Sequence, residues 1–403
     1  MLQPSARNIC YVFWIFLKLG CTSFGGPVAH LGYFRQAFVV KHQWLTEKSY
    51  ADLVALCQFL PGPASSQVGM GIGWYRAGIL GSIAAWLGFT MPSALLLILF
   101  ALGLSHYPDL IPTGVIHGLK ILAVAVVFQA IWGMARNLTP DAPRISIMIV
   151  SACAVLLSPT IWMQLIVMIV AALIGIKLFA QVSQPSISKI AYSPAQQRVG
   201  VGFLTVFMLL LLGLPVLSNF LPSQSLAMFD AFYRTGSLVF GGGHVVLPLL
   251  QAQTVNPGWV NNEVFLAGYG ATQAVPGPLF TFAAFLGASM TRSPTGWAGG
   301  LLALVAIFLP SFFLVVGALP FWERLREYTT VQSALIAVNA STVGLLLATL
   351  YEPVWVNAIL NPSDFALALL AVAALMVWKL PVWLVVAVCA GLGIVLPWFT
   401  AMI

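Results

Sequence analysis

The chain has 403 residues, of which 60% are hydrophobic and only 7% charged, with a mean hydropathy of +0.98. That balance excludes a water-soluble domain, because so few polar side chains cannot cover so large an apolar interior. The net charge of +7 follows the loops rather than forming a patch, which argues against nucleic-acid binding. Five cysteines (Cys10, Cys21, Cys57, Cys153 and Cys389) lie scattered in apolar segments without a C-x-x-C, so neither a zinc site nor a disulfide framework is expected. Apolar runs of about 18 to 25 residues recur, each long enough to span a hydrocarbon core. The composition predicts an all-α polytopic membrane protein.

In chain order, residues 8–24 are apolar apart from Lys18 and end in Ser23-Phe24-Gly25-Gly26-Pro27. No cleavage site for a signal peptide follows Arg7. An amphipathic piece over residues 28–42 carries His30, Arg35, Lys41 and His42. A helix led by Thr46 then runs into Gln58-Phe59-Leu60-Pro61-Gly62-Pro63. Pro61 and Pro63 lack N–H donors and restrict the residues before them, so one helix cannot pass through both. Pro63 suits the first turn of a new helix, which predicts two half-helices meeting at a break. Crossings are expected near residues 78–104, 115–133, 144–158 and 161–180, followed by a polar linker over 181–198.

Beyond the linker the chain repeats itself. Phe240-Gly241-Gly242-Gly243-His244 answers Phe24-Gly25-Gly26-Pro27, and Trp259-Val260-Asn261 answers Trp44-Leu45-Thr46. Gln273-Ala274-Val275-Pro276-Gly277-Pro278 answers residues 58–63, and Leu309-Pro310-Ser311 answers Met91-Pro92-Ser93. Broken helices at matching places in two halves point to a transporter built from internal repeats, with its site at the breaks. The expected division is a first repeat over 1–180, a linker with an extra crossing helix over 181–225, and a second repeat over 226–403.

Residues 1–198 hold 12 Lys or Arg against 4 Asp or Glu, and the remainder holds 5 against 6. The basic loops of the first half then mark one side as cytoplasmic. The extra helix carries the chain across, so the second copy starts from the other face. This predicts two inverted repeats with paired broken or re-entrant half-helices, about nine full crossings and about four short hairpins.

Phe24-Gly25-Gly26-Pro27, Pro61-Gly62-Pro63 and Tyr75-Arg76-Ala77-Gly78 resemble the first half of the chromate ion transporter family. Phe240 to His244 and Pro276-Gly277-Pro278-Leu279-Phe280 resemble its second half. The similarity covers nearly the whole chain. It implies a long-chain, two-domain member in the plasma membrane that moves chromate, outward, and extends to sulfate.

The residue chemistry fits an oxyanion independently. A dianion in the membrane must exchange its water shell for fixed donors. Half-helix N-termini supply backbone N–H groups and partial positive charge without a full cation. Gly25, Gly26, Gly62, Gly241, Gly242 and Gly277 let backbone approach the ion, and Pro61, Pro63, Pro276 and Pro278 make the breaks. Ser65, Ser66, Thr281, Gln58 and Gln273 add hydroxyl and amide donors, although helix capping and satisfaction of freed carbonyls account for them equally simply. His30 and His244 are candidates for proton coupling or for structural hydrogen bonds, and Arg76 and Arg292 for anion attraction or interfacial anchoring.

The expected function is a secondary transporter of chromate, most simply an exporter conferring resistance. The alternatives are a sulfate or oxyanion importer and an anion channel. No nucleotide-binding loop, metal cluster or nucleophile–base set is present, so neither an enzyme nor a cofactor is expected. The partners are a small inorganic oxyanion and the lipid bilayer, with a homodimer left open.

Overall fold

The computed structural model describes residues 6–24, 26–106, 112–158, 160–179, 194–240, 243–322 and 328–400. Among them the chain is helical throughout its regular structure. Helix α1 (Ala6–Thr22) ends at the first glycine break, and α2 (Gly26–Arg35) continues as a wider turn to Lys41. Helix α3 (Glu47–Phe59) starts where the Thr46 hydroxyl accepts from Ser49 N–H at 3.1 Å, and it stops ahead of Pro61. The matching helix of the second half, α11 (Asn262–Thr272), is capped in the same way: Asn261 Oδ1 accepts from Val264 N–H at 2.7 Å.

After the first break, α4 runs from Ala64 to His106 but is interrupted at Ala77 and Gly78, the latter at φ +64°. There the chain doubles back on itself. Gly73 and Gly81 face each other so closely that a Cβ on either would strike the other's carbonyl. The second half repeats this return with α12 (Phe282–Ala288) and α13 (Gly296–Ala318), where Gly287 and Gly299 meet in the same way. Helices α5 (Thr113–Leu138), α6 (Ala142–Leu157) and α7 (Ile161–Leu178) complete the first half. Helix α8 (Pro194–Phe220) leads to α9 (Gln224–Leu238), the counterpart of α1, and then to α10 (Val246–Thr254). Helices α14 (Thr329–Thr349), α15 (Pro362–Met376) and α16 (Val382–Thr400) answer α5, α6 and α7.

Glycines set the packing, because without a driving force from water helices in lipid gain most from close backbone approach. Gly20 of α1 faces the Phe89 carbonyl of α4, and its counterpart Gly236 of α9 faces the Ile307 carbonyl of α13. The halves also exchange helices. Helix α5 packs along α15 and α16, with Gly114 against Gly393 and Gly118 against Cys389. Helix α14 packs along α6 and α7, with Gly344 against the Met148 carbonyl and Gly175 against that of Ser333. The largest hydrophobic cluster accordingly draws on both halves, from Leu97 and Val124 to Phe280 and Leu304.

Five described stretches are long and apolar enough to cross a membrane: 64–106, 113–138, 196–220, 296–321 and 329–358. Shorter apolar helices include 142–157 and 162–178. At 1.5 Å per residue, α6 and α7 reach about 24 and 27 Å, just short of a 30 Å hydrocarbon layer. Length alone therefore yields fewer crossings than the roughly nine that hydropathy suggests. The chain is an all-α polytopic membrane protein. Of the linker expected over 181–198, residues 181–193 lie outside the described residues and 194–198 form the first turn of α8.

Candidate functional site

Each proline break is tied to the glycine break of the opposite half. Gly62, at φ +118°, donates its N–H to the Val239 carbonyl at 2.7 Å. Gly277, at φ +111°, donates to the Ser23 carbonyl at 3.0 Å. Val239 and Ser23 both sit immediately before the matched phenylalanines Phe240 and Phe24. The surroundings are reciprocal too. A Cβ at Gly62 would collide with Ser311 Oγ, and one at Gly277 would lie 2.8 Å from Ser93 Oγ. A Cβ at Gly243 would come within 3.2 Å of Pro27 Cγ, so the two glycine breaks also touch. Gly25, Gly241 and Gly242 lie outside the described residues.

A cavity of about 170 Å3 opens beside the second proline break. Its polar lining comes from Gln129 of α5, His244, Thr272 and Gln273, and Gly26 and Gly277 bring backbone to its wall. No lysine, arginine or carboxylate lines it among the described residues. The Gln273 Nε2 is buried without an acceptor. An idle buried donor has a desolvation cost with no compensating bond, so it is poised for a ligand acceptor. The hydroxyls of Ser23, Ser66 and Ser311, around the same breaks, are also buried without partners.

Ser65 is held differently. The buried His30 has Nε2 at 3.2 Å from the Ser23 carbonyl and Nδ1 at 3.4 Å from Ser65 Oγ. A carbonyl only accepts, so the hydrogen of a neutral His30 sits on Nε2, and Nδ1 is left to accept from the Ser65 hydroxyl. The Ser23 carbonyl therefore takes donors from both His30 and Gly277. One hydrogen-bonded chain runs from the second half's proline break to the first turn of α4.

Other sequence candidates fall elsewhere. Gln58 is exposed at the end of α3, and Pro61 offers its carbonyl to Gln67 Nε2 at 2.6 Å. Pro63 opens α4 by accepting from Gln67 N–H at 3.0 Å, which leaves the N–H groups of Ala64, Ser65 and Ser66 ahead of any helical acceptor. Pro276 is half-buried and Pro278 buried; the buried Thr281 donates its hydroxyl to the Pro278 carbonyl at 2.8 Å, so that donor is occupied. His244 pairs with Tyr269 OH at 2.8 Å. Arg76 stacks 5.0 Å over the Trp44 ring at the tip of the first hairpin, and Arg292 is exposed in the loop before α13. Sequence reasoning missed Gln129 and Thr272 as lining residues. The one available signal was Gln129 itself, the single amide within the otherwise apolar run over residues 121–135 of α5.

No solved structure matches the chain. An uncharacterized transporter of Methanocaldococcus jannaschii is 26% identical over 351 residues, 86% of this chain and 84% of that protein. The chromate transport protein of Pseudomonas aeruginosa is 27% identical over 399 residues, 96% and 92% of the two chains. A probable chromate transport protein of Synechococcus elongatus is 26% identical over 334 residues, 82% and 81%. The chromate transporter family profile matches residues 10–176 and again 226–394, most of the sequence in two stretches. The chain belongs to the chromate transporter family.

Proposed function

We propose that this protein is a secondary transporter of chromate in the plasma membrane, exporting the ion down the membrane potential and so conferring resistance. The observation that carries the reading is the cavity where opposite breaks close on each other, lined by neutral polar groups of which the Gln273 amide is an idle donor. Neutral donors hold a tetrahedral dianion in place of its water shell, yet release it without breaking an ion pair. At this cavity the proposed ligands are the backbone at Gly26 and the Gln273 amide, Gly277 keeps its wall free of a side chain, and the partnerless Ser66 hydroxyl after the first break is a further donor outside the lining. Moving two negative charges out of a negative-inside cell across 100 mV gains about 4.6 kcal/mol, so no nucleotide is needed.

Two inverted repeats fit the contacts. Gly296 at the start of α13 lies beside Leu102 near the end of α4, and Gly300 lies beside Ile98. The two counterpart helices therefore run antiparallel side by side, as copies inserted in opposite orientations would.

The test is chromate accumulation in cells with and without the protein, repeated in excess sulfate. Expression should lower accumulation, and Gln273→Leu and Ser66→Ala should abolish much of that effect. Equal accumulation with and without the protein would refute export. Increased accumulation that sulfate suppresses would make the protein an oxyanion importer instead.

A further inference from the structure

A second polar cleft shares no lining residue with the central cavity. It has a volume of about 480 Å3 and is walled by the start of α7, the ends of α8 and α10, the middle of α9, and the loop before α11. Its charged residues are Asp230 and Arg234, one turn apart on α9, and Gln253 and Asn256 face them from the end of α10.

The ion pair is only half made. Arg234 Nη2 meets Asp230 Oδ2 at 2.7 Å, whereas Asp230 Oδ1 and Arg234 Nε are both buried without a partner. Asp230 is 3% exposed. A fork-to-fork arrangement would satisfy both atoms, and its absence leaves one guanidinium donor for another acceptor and one carboxylate oxygen for a proton. The helices packed along α9 bring no rival charge: α10 and α13 carry none, and α8 has only Arg198, twenty residues from the cleft end of that helix. The first half places Lys18 at the position matching Arg234, so each copy sets one cation about two turns before its glycine break.

We propose that this cleft is a second binding site for a tetrahedral oxyanion, in which Arg234 is the ligand and Asp230 the internal competitor that the ion displaces. This rests on the chain being an oxyanion transporter. An arriving dianion takes the Arg234 donors, and Asp230, deprived of its counter-ion, takes one proton from the bulk solution, where the buffer's acid form supplies it. When the proton leaves, the carboxylate re-pairs with Arg234 and expels the anion to the same face. No proton crosses the membrane in this cycle. Gln253 and Asn256 supply the remaining donors to the bound oxygens.

Calorimetric titration of the full-length protein in lipid nanodiscs with sulfate, at pH 7 in two buffers of different ionisation enthalpy, tests this. Two binding events are expected, one of them taking up about one proton. Asp230→Asn should bind about tenfold tighter at that event without proton uptake. Arg234→Gln should lose it, and Gln253→Leu with Asn256→Leu, which leave both members of the ion pair in place, should weaken it several-fold. Proton uptake that survives Asp230→Asn, an Arg234→Gln protein that retains both events, or rim variants that bind unchanged would each overturn the proposal. Gln273→Leu separates the two sites. It should remove the other event and leave the proton-linked one, and if it removes neither, the central cavity fails as a site while the cleft stands.

Discussion

Gly62 and Gly277 do two jobs with one atom missing. Their positive φ angles are costly for any residue with a Cβ, and that Cβ would also enter the space of a serine from the other half. Alanine at either position therefore strains the backbone by about 1–2 kcal/mol and disturbs a bond between halves. Gly62→Ala and Gly277→Ala should each lower the melting temperature and remove chromate transport, measured on purified protein and in cells. Alanine at Gly103 or Gly133, where a Cβ would meet nothing, should do neither. The glycines and prolines were legible because their backbone limits are intrinsic to the residue. The role of Ser65 was not: its hydroxyl is held by His30, thirty-five positions away, and only the folded chain sets them together.

The two hairpins that carry the breaks are not equivalent. In the second, Gly270 of α11 lies against the Leu119 carbonyl of α5, and Lys120 reaches Glu263 at 3.1 Å. In the first, the corresponding face of α3 is exposed at Lys48, Ala51, Ala55 and Gln58. The start points of both helices could be read directly from Thr46 and Asn261, since capping is a local transaction between side chain and backbone. That only α11 docks on a helix from the other half could not, because it depends on which distant surface is offered. Lys120 is 7% exposed and Glu263 lies mostly in solvent, so the contact is worth most to the lysine. Glu263→Gln, which leaves a nearly buried ammonium without its counter-charge, should lower the melting temperature more than Lys120→Met or the double variant. Equal losses from all three would show that the pair contributes nothing beyond packing.

At the scale of the whole molecule, duplication was plain in the sequence because motifs recur in the same order at nearly constant offset, and the matched glycine contacts keep that order. Exchange of α5 and α14 between the copies was invisible. Hydropathy gives each helix an apolar surface but not the identity of its neighbour, and every candidate neighbour in lipid is equally apolar. The unpaired α8 was anticipated as an extra crossing, and it lies against α13 and α9 at one edge of the bundle.

The swap of α5 and α14 has a consequence for how the protein must be assembled. A ribosome releasing the first copy delivers a fragment whose α5 has no helix of the second copy to lie against until α11 arrives, and its longest partners, α15 and α16, follow more than two hundred residues later. Severing the chain between residues 179 and 194 and expressing both pieces together should give fragments that co-purify and lower chromate accumulation, whereas each piece alone should be degraded. Two clasped hands can be unlinked at the wrist and still hold, but neither makes the grip by itself.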